Sequence, residues 1–360
     1  MKSKSTLPKT VTTVTNESSI FQFIVISAGI VIILAGFKAA ADIITPLLLA
    51  LFIAIVCSPL VDKMVNYKIP QWLAITLLLC FIFTLFSVFA TLVGASVNEF
   101  TGSIPQYRIL LSEKVTWLTT FADKYNVSLL LPQQKILESL NPNTLMNFMS
   151  NILGQLSGML SNIFVLFLII VFMLLEIPLA KRKLAYLVSA QPQGEQIQLK
   201  SDIYRVVESV IRYLSIKTLI SILTGVSIYI ILKLLNIQYA VLWASVAFLL
   251  NYIPNIGSII AAIPVVIQTF ILNGTGEGIA VIVAYFLVNT IFGNVLEPRV
   301  MGKHLGLSTL VVFISLIFWG WLLGTVGMFL SVPLTMATKI ALETSPTTKR
   351  LAYLLGSGER

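Results

Sequence analysis

Long apolar runs separated by short polar connections make up most of this chain. Apolar residues fill each run continuously instead of alternating with polar ones, so the runs are predicted to be helices and not barrel strands. A helix needs about 20 residues to cross the hydrocarbon core of a bilayer. Six runs have about that length: Ile20 to Phe37, Ile43 to Val61, Trp72 to Val97, Leu156 to Ile177, Leu214 to Leu235 and Gly278 to Leu296. The pattern predicts an all-α polytopic membrane protein.

Two further apolar blocks, Ala240 to Leu272 and Leu305 to Ile340, are longer than one crossing requires. The first is interrupted by NYIPNIG at residues 251–257 and the second by GWLLGTVG at residues 320–327. Each block suits two half-helices that meet at a tip, and a kinked single span is the alternative. Together with the six runs, they give about eight hydrophobic segments.

The basic residues lie in the N-terminal tail, the short loops and the C-terminus, although the net charge of +9 would also suit nucleic acid. This distribution follows the positive-inside rule, so we expect both termini in the cytoplasm and no nucleic-acid partner. The same rule places Arg299 and Lys303 inside only if the first broken block turns back. The last half is therefore predicted to be an inverted repeat with two re-entrant helical hairpins, whose tips meet near the bilayer midplane.

Polar connections also suggest how the chain is divided. Apolar residues recur every three to four positions after the third run, which predicts an amphipathic helical cap outside the membrane, with a solvated linker as the alternative. Small residues after the first run resemble a signal-peptide cleavage site, but a second span follows at once and favours retention. The predicted regions are a cytoplasmic tail (1–19), a scaffold (20–180) with the external segment (98–155), a cytoplasmic amphipathic helix and linker (181–213), a transport region (214–340) and a cytoplasmic tail (341–360).

Composition supports lipid as the main solvent, because 57% of the residues are hydrophobic and only 11% are charged. The two cysteines, Cys57 and Cys80, lie in separate predicted spans, and there is one histidine. No metal-ligand spacing occurs, so we expect no metal and no cofactor. The chain also lacks HExxH, GxSxG and an ATP-binding loop. These absences argue against an enzyme and favour transport driven by a gradient.

Three C-terminal segments and two earlier ones carry a family resemblance. They are NYIPNIGSIIAAIP (Asn251 to Pro264), GNVLEPRVMG (Gly293 to Gly302), LGLSTLVVFISLIFWGWLLGTVGMFLSVPL (Leu305 to Leu334), PLLLALFIAIVCSPLV (Pro46 to Val61) and PQYR (Pro105 to Arg108). These segments resemble the bacterial autoinducer-2 exporter family of transporters, and the resemblance runs over most of the chain.

The resemblance implies a protein of the bacterial inner membrane that exports autoinducer-2, a small, oxygen-rich quorum-sensing signal derived from a furanone. It also implies a homo-oligomer, with five subunits expected. Other branches of this family are associated with sodium/proton exchange, so an antiporter stays open as an alternative. A passive channel is a further alternative.

The first break supplies the main candidate binding residues. Asn251 and Asn255 offer amide donors and acceptors around Pro254, which frees a backbone carbonyl, and Gly257 adds flexibility. This arrangement suits a hydroxyl-rich solute, whereas capping of half-helices is the alternative. Asn289 and Asn294 on the adjacent span are predicted to complete the site, with interhelical packing as the alternative.

Charged residues and glycines supply the other candidates. Glu297 and Arg299 flank Pro298 and are predicted to form a gate or an ion pair. The tip of the second hairpin is predicted at three glycines, Gly320, Gly324 and Gly327.

Three more titratable residues are expected to have ordinary roles. His304, the single histidine, lies in a basic loop and is expected to be a plain interfacial residue. Glu176 and Lys217 are expected near cytoplasmic helix ends, where their side chains would snorkel to water.

Overall fold

The computed structural model describes residues 17–124, 163–189, 193–254, 256–301, 306–344 and 348–356, together with residues 147, 150, 151 and 154. Within these residues the regular structure is helical. The helices are α1 (Glu17–Ala39), α2 (Ala41–Asn66), α3 (Gln71–Lys124), α4 (Ile163–Ser189), α5 (Gln193–Leu234), α6 (Ala240–Leu250), α7 (Gly257–Leu272), α8 (Thr275–Val288), a π-helical segment (Asn289–Leu296), α9 (Glu297–Met301), α10 (Thr309–Thr344) and α11 (Lys349–Leu354).

Six described helical stretches are long and apolar enough to cross a membrane. They are residues 41–66, 71–107, 164–189, 196–234, 275–301 and 309–344, and three shorter apolar helices occupy residues 24–39, 240–250 and 257–272. The predicted all-α polytopic class is confirmed.

The first broken block folds back on itself as a hairpin of α6 and α7, here called the first hairpin. The indole nitrogen of Trp243 donates to the side-chain oxygen of Gln268 at 2.7 Å. Residues 25 positions apart would be about 38 Å apart along one continuous helix, so the chain reverses between them. The reversal occupies residues 251–256, which lie between the two helices.

The second broken block, α10, also reverses and is here called the second hairpin. Gly324 has φ 69° and ψ −152°, a conformation that ends one arm and starts the next. The indole of Trp319 donates to Thr335 Oγ1 at 3.0 Å, although 16 residues would span about 24 Å in one helix. At the open end, Lys339 Nζ donates to the carbonyl of Gly306 at 2.7 Å. Residues 309–344 are therefore two antiparallel arms and not one crossing.

Three apolar clusters hold the described helices together. The first joins the second half of α3 to α5, the first hairpin and α8, with Phe100 and Trp243 fully buried. The second joins α2, the first half of α3 and α4. The third joins α2 and the first half of α5 to the second hairpin. Helix α3 thus packs against both predicted regions, and their division at residues 181–213 stays a prediction.

The helix bounds bear on two sequence expectations about the connecting segments. Helix α3 continues without a break to Lys124, so residues 98–124 are in one helix with the third span, and their external position stays a prediction. The rest of the predicted external segment, residues 125–155, lies outside the described residues except for positions 147, 150, 151 and 154. The predicted amphipathic helix within residues 181–213 belongs mostly to α5, which runs continuously from Gln193 into the fifth span.

Candidate functional site at the tip of the first hairpin

The turn of the first hairpin presents its polar groups to α5. Asn251 is 6% exposed, and its side-chain nitrogen donates to Ser221 Oγ at 3.0 Å. The Tyr252 hydroxyl donates to Thr218 Oγ1 at 2.9 Å. A buried amide without a partner costs about 1 to 3 kcal/mol, so these bonds stabilise the tip against the middle of α5.

Glycine permits the close approach at this turn. Gly257 begins α7, and a Cβ at this position would overlap the carbonyl oxygen of Leu250. Pro254 is half-buried in the same turn, whereas Asn255 lies outside the described residues. The structure therefore places Asn251, Pro254 and Gly257 together in one turn.

A buried ion pair lies beside this turn. Lys217 Nζ on α5 is 2.7 Å and 2.9 Å from the two carboxylate oxygens of Glu297, which starts α9. The two side chains are only 4% and 17% exposed. Lys217 directly precedes Thr218, the residue that accepts the hydrogen bond from Tyr252. Two charges, three hydroxyls and one amide thus meet where the hairpin tip, α5 and α9 come together.

One sequence expectation about these charges is wrong, because Lys217 does not snorkel to water: α5 begins at Gln193 and carries this lysine deep into the helix bundle. Glu297 forms an ion pair with Lys217, and the side chain of Arg299 is exposed. A gate at Glu297 and Arg299 stays a prediction. The expectation for His304 cannot be compared, since residues 302–305 lie outside the described residues.

The two asparagines of the adjacent span lie in the π-helical segment Asn289–Leu296. Asn289 is half-buried and Asn294 is exposed. The side-chain hydrogen bonds that Asn251 and Tyr252 donate both go to α5. A π-helical segment is rare and often occurs at functional sites, and this one leads directly into Glu297.

The glycines of the second broken block surround its chain reversal. A Cβ on Gly320 would meet the Met328 side chain, and one on Gly327 would overlap the carbonyl oxygen of Trp319. These glycines let the two arms approach closely on both sides of Gly324. The two hairpins touch where the rings of Tyr252 and Phe329 lie 6.2 Å apart.

The tip of the second hairpin also contacts the first two helices. Thr45 Oγ1 on α2 lies 3.5 Å from the carbonyl oxygen of Leu323, and Lys38 Nζ on α1 lies 4.3 Å from the centre of the Trp321 ring. These contacts are weak, since the hydrogen bond is long and a cation–π contact contributes about 0.5 to 2 kcal/mol.

Sequence reasoning missed most of the α5 side of this site. Lys217, Thr218 and Ser221 lie within a run that is otherwise apolar, and a charged residue in such a run is rarely accidental. That signal was available for Lys217, because a lysine and a glutamate in separate spans are natural partners. Nothing comparable marked Thr218 or Ser221, since hydroxyl residues occur throughout membrane helices.

Comparison with known proteins identifies the family of this chain. The sequence model of the family described as AI-2E family transporter matches residues 28–347 of this chain. A candidate transport protein of Haemophilus influenzae is 52% identical over 332 residues, which is 92% of this chain and 95% of that protein. The AI-2 transport protein TqsA of Escherichia coli is 44% identical, with the same shares covered, and YhhT of Escherichia coli is 40% identical over 92% of this chain and 93% of its own. This chain belongs to the AI-2E family of transporters.

Proposed function

We propose that this chain is a secondary transporter that exports autoinducer-2, or a similar small polar solute, by alternating access. The observation that carries the proposal is the buried Lys217–Glu297 pair beside the first hairpin tip. Ionisable residues inside membrane segments are costly and usually mark solute or ion pathways. Autoinducer-2 is favoured as the solute because the relative named for AI-2 transport is 44% identical over most of both chains.

The polar side chains at the tip suit an oxygen-rich solute. Asn251, Thr218 and Tyr252 supply both donors and acceptors within a largely apolar bundle. Such a solute would exchange hydrogen bonds with these groups instead of leaving them unpaired, which keeps the cost of binding low. The ion pair offers further acceptors on Glu297 and donors on Lys217.

Alternating access is proposed to occur by an elevator-like movement of residues 214–340 against residues 20–180. In this arrangement the two hairpins are re-entrant from opposite faces, and both termini are cytoplasmic. The polar contacts of the second hairpin tip with α1 and α2 are weak, and the packing of its arms on α2 is apolar, so neither fixes a single position at this boundary. Family resemblance supports a homo-oligomer with five subunits, which native mass spectrometry of the detergent-purified chain would test.

Counterflow in proteoliposomes tests the function. Vesicles that hold the purified chain and unlabelled autoinducer-2 should accumulate labelled autoinducer-2 from outside, and the rate should saturate. Parallel vesicles with a sodium or proton gradient and no autoinducer-2 distinguish an antiporter. Ion exchange without solute counterflow would reject the export proposal, and flux that does not saturate would indicate a channel.

Cross-linking tests the movement. In a background without Cys57 and Cys80, a flexible bifunctional thiol reagent should join Thr45→Cys to Leu323→Cys and abolish counterflow, because the second hairpin is then tied to α2. The matched control joins Asp62→Cys to Lys181→Cys, an exposed pair that links α2 to α4 within the predicted scaffold. Full activity of the cross-linked Thr45–Leu323 protein would rule out an elevator movement at this boundary.

A further inference from the structure

An open cleft of about 360 Å³ lies on the side of the site away from the first hairpin. The first half of α5, the end of α9 and the second arm of the second hairpin form its walls. By the positive-inside assignment this side faces the cytoplasm. The cleft and the hairpin turn therefore lie on opposite sides of the Lys217–Glu297 pair.

The rim of the cleft carries charges that pair with each other. Arg205 Nη2 is 3.2 Å from Glu343 Oε2, and Lys339 Nζ is 3.6 Å from Glu343 Oε1. The first pair ties α5 to the second hairpin, and the second pair lies within the returning arm of that hairpin. Arg212 and Glu208 also line the cleft, so three basic and two acidic side chains face it without a strong excess of either charge.

The floor of the cleft is formed by two buried side chains, Tyr213 and Met301, each 4% exposed. Tyr213 lies one helical turn before Lys217 on α5, and Met301 lies one turn after Glu297 on α9. Residues four positions apart on a helix face have Cβ atoms about 5 to 6 Å apart. One layer of side chains thus separates the cleft from the ion pair.

The hydroxyl of Tyr213 is buried and has no hydrogen-bond partner among the described residues. Buried hydroxyls are nearly always paired, because an unsatisfied one is costly. This hydroxyl is therefore available to a molecule that passes between the cleft and the hairpin turn.

We propose that this cleft is the cytoplasmic vestibule for a small, neutral, polyhydroxylated solute, and that Tyr213 and Met301 form the partition that the solute crosses to reach the hairpin turn. The assignment rests on the proposed function and adds the path and the chemical class of the solute. A neutral polyol suits a rim with charges of both signs and an unpaired hydroxyl, since each of its hydroxyls both donates and accepts. An anion would have to compete with Glu343 for Arg205 and Lys339, and Glu208 adds a second carboxylate to the lining.

The first test measures occupancy of the cleft. Ser209 lines the cleft and is replaced by cysteine in a background without Cys57 and Cys80. Autoinducer-2 should slow labelling of Ser209→Cys by a membrane-impermeant maleimide at least threefold, whereas inorganic phosphate at the same concentration should not. Lys63→Cys, at an exposed position outside the cleft, is the control whose labelling should not change. Protection of Ser209→Cys by inorganic phosphate but not by autoinducer-2 would overturn the proposal that the solute is neutral.

The second test measures the role of the Tyr213 hydroxyl. Tyr213→Phe should raise the half-saturating concentration of autoinducer-2 in counterflow about 3- to 10-fold, the effect of one hydrogen bond. Tyr285→Phe is the matched control, because its hydroxyl is also buried without a partner in the described residues but lies on α8, away from the cleft. Neither change removes a hydrogen bond between the described residues, so both variants should fold, and size-exclusion profiles verify this.

The outcomes of these experiments distinguish failure of the vestibule proposal from failure of the proposed transport function. Absence of counterflow by the parent protein would remove both proposals. Normal parental counterflow with an unprotected Ser209→Cys would overturn the vestibule alone. Equal half-saturating concentrations for Tyr213→Phe and Tyr285→Phe would overturn the proposal that the solute contacts Tyr213 when it crosses the partition.

Discussion

At the scale of single residues, the Lys217–Glu297 pair has the largest energetic consequences. Two charges removed from water interact favourably only while both partners are present, because an unpaired buried charge costs several kcal/mol. The exposed pair of Lys181 and Asp62, whose side chains are 57% and 58% exposed, is screened by water and contributes little. A lysine–carboxylate pair is therefore expected to affect stability strongly where it is buried and little where it is exposed.

Removal of one partner from the buried pair should therefore destabilise the protein strongly. Lys217→Met should lower the free energy of unfolding by about 3 to 5 kcal/mol, and Glu297→Leu in the same chain should restore most of the loss. Unfolding of the detergent-purified protein by SDS titration measures both. Lys181→Met serves as the control and should cost about 1 kcal/mol or less. A loss for Lys217→Met no larger than that of the control would show that the pair is not buried in the folded protein.

At the scale of elements, the two hairpins depend on glycine at the start of each returning arm. Gly257 lies against the carbonyl of Leu250, and Gly327 lies against the carbonyl of Trp319. Backbone cannot move aside as a flexible side chain does. Both reversals thus require a residue without a Cβ, independently of any contact with solute.

Alanine at either glycine should separate the arms of its hairpin. Gly257→Ala and Gly327→Ala should each lower the free energy of unfolding by about 2 kcal/mol or more, within the range of overpacking. Gly94→Ala in α3 is the control, because its Cβ would meet open space and alanine favours a helix by about 0.5 to 1 kcal/mol. SDS titration of the three variants provides the comparison. Equal stability of all three would mean that the turns are wider than described.

At the scale of the whole molecule, the two hairpins open in opposite directions. The first opens near Gln238 and Tyr239, which contact Tyr107 and Ser103 in the second half of α3. The second opens near Glu343, which pairs with Arg205 in the first half of α5. Since α3 and α5 are both predicted to run outward, the first opening should face outside and the second should face the cytoplasm.

Thiol labelling of intact cells tests this arrangement. In a background without Cys57 and Cys80, a membrane-impermeant maleimide should label Gly276→Cys, at the open end of the first hairpin, where a Cβ meets open space. Lys349→Cys, beyond the second hairpin, should be labelled only after the cells are permeabilised. Labelling of both residues from one side would disprove the inverted repeat.

The sequence by itself determined the fold class and the places where the chain reverses. Lipid cannot satisfy backbone groups, so apolar runs of spanning length have to be helices. Long apolar blocks interrupted by NYIPNIG and GWLLGTVG located both reversals, because the Pro, Gly and Asn residues they contain interrupt a helix. Asn251, Glu297 and Gly327 stand out in the sequence because each departs from its apolar surroundings.

Only the tertiary structure decided which of these residues meet. Lys217 and Glu297 are 80 positions apart, and Asn251 and Ser221 are 30 positions apart. Helices that are apolar on every side have no polar face to fix their rotation, so the sequence pattern cannot say which side chains point toward a neighbour. The interhelical packing sets that rotation. It places Lys217 inside the bundle against Glu297, and it places Tyr213 in the wall of the cleft.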